Sequence, residues 1–83
     1  MNVNLRYFAS IREALSTGSE SLDTQATTLA ALRDELIARG GPYAEALARG
    51  KAVRVALNQT MVDDAAALQP GCEVAFFPPV TGG

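Results

Sequence analysis

The chain has no histidine, a single cysteine among 83 residues, and no apolar run that approaches the length of a membrane span. Each absence removes a class of function. Without histidine the commonest general base and the commonest metal ligand are both missing, and no cluster of activated side chains stands in for them. Asp63-Asp64 has no third ligand beside it and reads as a solvated turn rather than a metal or acid/base site. One cysteine cannot form a disulfide within the chain, and Met1-Asn2-Val3-Asn4 lacks the basic and apolar regions of an export signal. The expectation is a soluble cytoplasmic protein. A net charge of −2, with the seven Lys and Arg residues scattered along the chain, supplies no basic patch for nucleic acid or for an anionic membrane. Partners are expected to be proteins or small molecules.

What is present is one domain, residues 1–83, of a size that folds without staples. Val3, Leu5 and Tyr7 alternate with Asn4 and Arg6, the period of a half-buried strand. Ser10-Ile11-Arg12-Glu13 has the form of a capping box and predicts a short helix from Ile11 to about Leu15. Glu20-Ser21-Leu22-Asp23 reads as a polar edge strand. Thr28 is placed to cap the main helix, whose Leu29, Leu32, Leu36 and Ile37 make one apolar stripe. Arg39 is expected in its last turn, before a stop at Gly40-Gly41-Pro42. A second short helix is expected from Tyr43 to Arg49, with Gly50 just past its end. Val53, Val55 and Leu57 form a strand that turns at Asn58-Gln59 into Thr60-Met61-Val62. Leu68-Gln69-Pro70-Gly71 is a turn signal that then feeds the last strand.

That last strand is the most informative stretch. Val74 to Phe77 is apolar without polar alternation, which predicts a central strand covered on both faces. Pro78-Pro79 cannot donate to a ladder and should leave the fold as a stiff stalk, beginning a tail over residues 78–83. The tail ends in Gly82-Gly83, where the lack of side chains lets backbone approach a reactive centre closely. Fully extended, it reaches roughly 20 Å, at about 3.3 Å per residue, enough to enter another protein's active site. At a glycine frequency of about 7%, two in succession at a given place arise by chance roughly once in 200.

Phe76-Phe77-Pro78-Pro79-Val80-Thr81-Gly82-Gly83 resembles the close of the small, sulfur-carrying subunits of molybdopterin synthase, among the ubiquitin-like proteins that end in Gly-Gly. Asn58-Gln59-Thr60 is similar to that family's hairpin, and Phe8-Ala9-Ser10-Ile11-Arg12-Glu13 to its first strand-to-helix junction. These blocks span the whole chain. The strand pattern agrees with an α+β, ubiquitin-like β-grasp fold: a mixed sheet around one main amphipathic helix, with the first and last strands parallel neighbours.

The resemblance implies a sulfur carrier in molybdenum cofactor biosynthesis that is not catalytic alone. Gly83 would be adenylated by an E1-like activating enzyme, converted to a thiocarboxylate by a sulfur donor, and delivered to the large catalytic subunit, in a heterotetramer. There the sulfur would pass to cyclic pyranopterin monophosphate. ATP and magnesium would serve the activating partner, and this chain would need no cofactor or metal. Phe76, Phe77, Pro78, Pro79, Val80, Thr81 and Gly82 would form the partner-binding tail. Independently of the resemblance, the apolar side chains and stiff backbone of Phe76 to Thr81 predict docking as an extended peptide, with the exposed sheet face adding apolar contact and rim charges such as Arg12 and Arg54 tuning rates. Cys72 departs from the family, which is expected to carry an acidic residue there; it reads as a small buried hydrophobe. A carrier for thiamine synthesis, a ubiquitin-like modifier that passes Gly83 to a lysine, and a plain binding module remain open alternatives.

Overall fold

The computed structural model describes residues 1–79; the expectations for Val80, Thr81, Gly82 and Gly83 lie outside the described residues. Five strands and three helices follow in the order β1 (Asn2–Tyr7), α1 (Ala9–Leu15), β2 (Ser19–Asp23), α2 (Leu29–Ile37), α3 (Gly41–Ala46), β3 (Arg54–Leu57), β4 (Thr60–Val62) and β5 (Glu73–Phe77). They make one mixed sheet in the order β2-β1-β5-β3-β4. β1 and β5 are parallel neighbours, and the flanking pairs are antiparallel, as the apolar pattern of the two central strands requires. The polar β2 lies at an edge.

Alternation in β1 sends Val3, Leu5 and Tyr7 to the helix-covered face, where they join Val74 and Phe76 of β5 and Val55 of β3. From α2 come Leu29, Leu32 and Leu36, the last two with no exposed surface, while Ile37 is only partly buried. Thr28 caps α2 as expected, its hydroxyl accepting from the Ala31 amide at 3.2 Å. Asn58 and Gln59 hold φ of 49° and 70°, the left-handed pair of a tight two-residue hairpin turn. Asn58 also accepts from the Glu73 amide through its side chain at 2.9 Å, tying that turn to the start of β5. Gly71 takes φ 78° after Pro70, and the Cys72 amide reaches the Gln69 carbonyl at 3.1 Å, closing the turn into β5.

Local rules gave way to tertiary contacts at four places. The capping box does not form: α1 begins at Ala9, Phe8 occupies the cap without a side-chain bond, and Ser10 lies inside the helix. The Phe8 amide is held by the Phe76 carbonyl at 3.2 Å, which fixes the entry two residues earlier than the Ser10 hydroxyl would. Arg39 lies beyond α2, which ends at Ile37, and it reaches across to Glu20 of β2 at 2.7 Å. α3 runs over Gly41–Ala46 rather than to Arg49, because buried Arg33 takes the next carbonyls. Its Nε donates to the Leu47 carbonyl at 2.8 Å, and Nη2 donates to Ala48 at 2.7 Å and Lys51 at 3.1 Å. Those acceptors are thus satisfied outside the helix ladder. Finally, Asp64 is not a free turn carboxylate; it is half-buried and pairs with Arg49 at 2.9 Å and Arg33 at 3.8 Å. Asp63 does remain in an exposed turn and accepts from the Ala65 amide.

Candidate functional site

β5 is flanked on both sides and ends at Phe77, so the two prolines leave from the middle of the sheet rather than from an edge. A terminus launched from a central strand takes its direction from two neighbours. Phe77 pairs across to Arg54 of β3, and Phe76 to Tyr7 of β1. Pro78 is half-buried and Pro79 exposed, so the chain emerges from the fold over these two residues. Phe76 has no exposed surface and stacks on Tyr7 with centroids 5.9 Å apart; its role is to anchor the strand, not to meet a partner.

Phe77 points to the opposite face. Its ring lies parallel to that of Phe8, with 4.6 Å between centroids and 6° between planes, and the Arg6 guanidinium sits 5.6 Å from the Phe8 ring. Behind this pair the registers of four strands bring Arg6, Ala75, Ala56 and Met61 into one row across the sheet. Ala56 and Ala75 are small enough to be almost covered, and Met61 is 49% exposed. The result is a shallow apolar face beside the tail root, edged by Arg6 and Arg54. Arg6 lies 3.8 Å from Glu73.

The resemblance had pointed to Phe77, and the expected peptide docking to Arg54, on this face, but Met61, Ala56 and Ala75 had no assigned role. The signal was the strand parity: even-numbered positions of β1 point outward, and Phe8 continues that series past Tyr7. Arg12 stands apart from the row, on α1, with its side chain lying close over Gly18. Cys72 is buried immediately before β5, as expected of a small hydrophobe. Among the described residues no group of three or more His, Cys, Asp or Glu side chains is arranged to hold a metal.

Two charge networks hold the scaffold on the helix side. Glu20 accepts from the Tyr7 hydroxyl at 3.2 Å, from Tyr43 at 3.4 Å and from Arg39 at 2.7 Å, joining β1, β2 and α3. Burial pushes the Tyr7 phenol far above its ordinary range, and the nearby Glu20 carboxylate pushes it further. Burial works against the Arg39 charge, but its hydrogen bond and attraction to Glu20 outweigh that, and its pKa rises. Arg33 is lowered by burial, a shift that the Asp64 carboxylate opposes.

The family model described as the ThiS family matches residues 5–83. Two curated relatives, the molybdopterin synthase sulfur carrier subunits of Haemophilus influenzae and Escherichia coli, are each 41% identical over 81 residues, covering 98% of this chain and 99% of theirs. Among solved structures, SAMP1 from Haloferax volcanii superposes with a TM-score of 0.81 at 24% identity over the whole of both chains, a likeness of fold. A chain from the complex of subunits 1 and 2 of molybdopterin-converting factor from Helicobacter pylori superposes with a TM-score of 0.70 at 27% identity, again over the whole of both chains. The chain therefore belongs to the ThiS family, as a ubiquitin-like β-grasp protein similar along its whole length to molybdopterin synthase sulfur carrier subunits.

Proposed function

We propose that this chain is the sulfur-carrying small subunit of a molybdopterin synthase, inactive alone and working in the cytoplasm through its C-terminal glycine. The observation that carries the reading is the placement of the tail root: a central strand delivers Pro78 and Pro79 to the surface beside the Phe8 and Phe77 stack. A partner that covers this face is positioned to receive the tail in the same encounter, which lets apolar burial on a rigid sheet orient a short peptide. The names of the relatives support the sulfur-carrier assignment, and the Helicobacter complex supports a large-subunit partner.

In this reading an E1-like enzyme uses ATP and magnesium to join the Gly83 carboxylate to adenylate, releasing pyrophosphate. A sulfur nucleophile from the donor displaces AMP and leaves a thiocarboxylate. The tail then enters the large subunit, where the sulfur passes to cyclic pyranopterin monophosphate and the carboxylate is regenerated by water. This chain's residues bind, orient and present; Gly82 and Gly83 keep the entry narrow, and no cofactor resides here.

The test is intact mass after incubation with an activating enzyme, ATP and a sulfur source, followed by product formation with the large subunit. A sulfur-for-oxygen mass shift on this chain supports the carrier, adducts on other proteins support a modifier, and an unchanged mass refutes both. Deleting Gly83, or adding one Ala after it, displaces the reactive carbon by about 3.3 Å. A misplacement of even 1 Å can cost about 100-fold, so both variants should melt like the parent and lose transfer by at least that factor. Full product yield from either would remove Gly83 from the role.

A further inference from the structure

Six arginines carry nearly all of the chain's positive charge, and they divide into two groups. Arg33, Arg39 and Arg49 are committed inside the fold: Arg33 to backbone carbonyls and Asp64, Arg39 to Glu20, and Arg49 to Asp34 and Asp64. Arg6, Arg12 and Arg54 are exposed, and among the described residues their one ion pair is the 3.8 Å approach of Arg6 to Glu73. Two of these three meet. Arg6 and Arg12 line one pocket of about 330 Å³ together with Tyr7, Phe8, Gly18 and Ser19, and among the described residues no acidic side chain lines it. The Arg12 side chain lies over Gly18, where an added Cβ would come within 3.3 Å of its Nε, so glycine leaves room for the guanidinium to rest against the backbone. The Arg6 guanidinium rests against the Phe8 ring. Each cation therefore has a surface to lie on, which lowers the entropy lost when an anion binds.

We infer that this pocket receives a carboxylate, the side chain of an Asp or Glu on the large synthase subunit, and so fixes that subunit's register on the apolar face. The choice of partner rests on the function proposed above. Charge, position and geometry select the occupant. Two guanidinium groups line one space on a chain of net charge −2, so an anionic group is drawn to this spot rather than to the surface at large. Phe8 belongs both to the pocket wall and to the stack with Phe77, so a protein that covers the stack brings its own side chains to the mouth of the pocket. The planar fork of a guanidinium matches a carboxylate through two parallel N–H···O bonds. Covering Phe8 also removes water from the pocket, and an ion pair so shielded holds a complex together where an exposed one mainly steers the encounter. Arg12 thus does more than the rate-tuning expected of a rim charge, whereas Arg54, outside the pocket, keeps that lesser role.

Binding and cross-linking of the full chain with the purified large subunit test this. Arg12→Ala changes an exposed position of α1, so it should melt like the parent while weakening the complex about ten- to a hundredfold, mostly through faster dissociation. Arg6→Ala should shift affinity in the same direction. Arg12→Lys should keep part of the affinity and supplies an amine in place of the guanidinium. Carbodiimide treatment of its complex should then join position 12 to an Asp or Glu of the large subunit as an amide, the carbodiimide leaving as its urea, and peptide mass mapping locates the link. An unaltered affinity in Arg12→Ala overturns the proposal, and so does an Arg12→Lys complex that couples elsewhere but not at position 12. A parent chain that does not bind the large subunit at all removes the carrier reading and the pocket with it, whereas parent binding that the variants leave unchanged removes the pocket alone.

Discussion

The two faces of the sheet are built to different standards. On the helix side, Val3, Leu5, Leu32, Leu36, Val74 and Phe76 have no exposed surface, and buried Arg33 is partnered by three backbone carbonyls and Asp64. On the outer side, the floor is two alanines, the aromatic pair is half-buried, and Met61 is half exposed. The first face carries stability through close packing. The second keeps apolar area uncovered beside the tail root, which costs stability and suits a surface that a partner will bury.

Substitutions on the two faces should therefore separate folding from recognition. Leu32→Ala, on the packed face, should cost about 2–5 kcal/mol through lost burial and a residual cavity, read as a large drop in melting temperature or urea midpoint. A loss below 1 kcal/mol would mean that α2 packs less tightly than its burial implies. Titration of Tyr7 gives the next effect. Its folded pKa is raised, so the unfolded phenol ionises first, near pH 10, while the folded one stays neutral. Below that pH the group adds no pH dependence; above it, stability should fall by about 1.4 kcal/mol per pH unit. Tyr7→Phe should flatten that alkaline slope, and an unchanged slope would assign it to other groups.

At the tail root, replacing Pro78 and Pro79 together with Gly restores freedom to the unbound peptide. The expected cost is about 1–2 kcal/mol in partner binding, or roughly five- to thirtyfold in affinity, with little change in melting temperature. Calorimetry with the large subunit reads it, and equal affinities would show that the prolines do not preorganise the tail. The smallest stability effect is expected on the outer face, where Met61→Ala should stay within about 0.5 kcal/mol of the parent while weakening the complex. If Met61→Ala melts early but binds normally, the outer face belongs to the core and the contrast between the faces fails. Arg54→Ala should act on the rate of association more than on dissociation, and its effect should shrink with added salt.

Much of this was legible in the amino-acid order because the physics involved is local. Period-two alternation placed Val3, Leu5 and Tyr7 inward, the stripe of Leu29, Leu32 and Leu36 defined the main helix, and Thr28, Asn58-Gln59 and Pro70-Gly71 marked ends and turns through their own side chains or backbone preferences. An uninterrupted apolar run followed by two prolines was enough to make β5 central and to say where it stops. Tertiary structure decided what depends on groups distant in sequence. Arg33 occupies the position four residues after Leu29, within the apolar stripe, yet its burial is tolerable only because a loop fourteen to eighteen residues away supplies carbonyls to it. The Phe76 carbonyl overrode the capping box at Ser10, and Glu20 drew Arg39 away from the end of its helix. The outer row of Arg6, Ala75, Ala56 and Met61 exists only through the registers of four strands, which no stretch of sequence contains by itself.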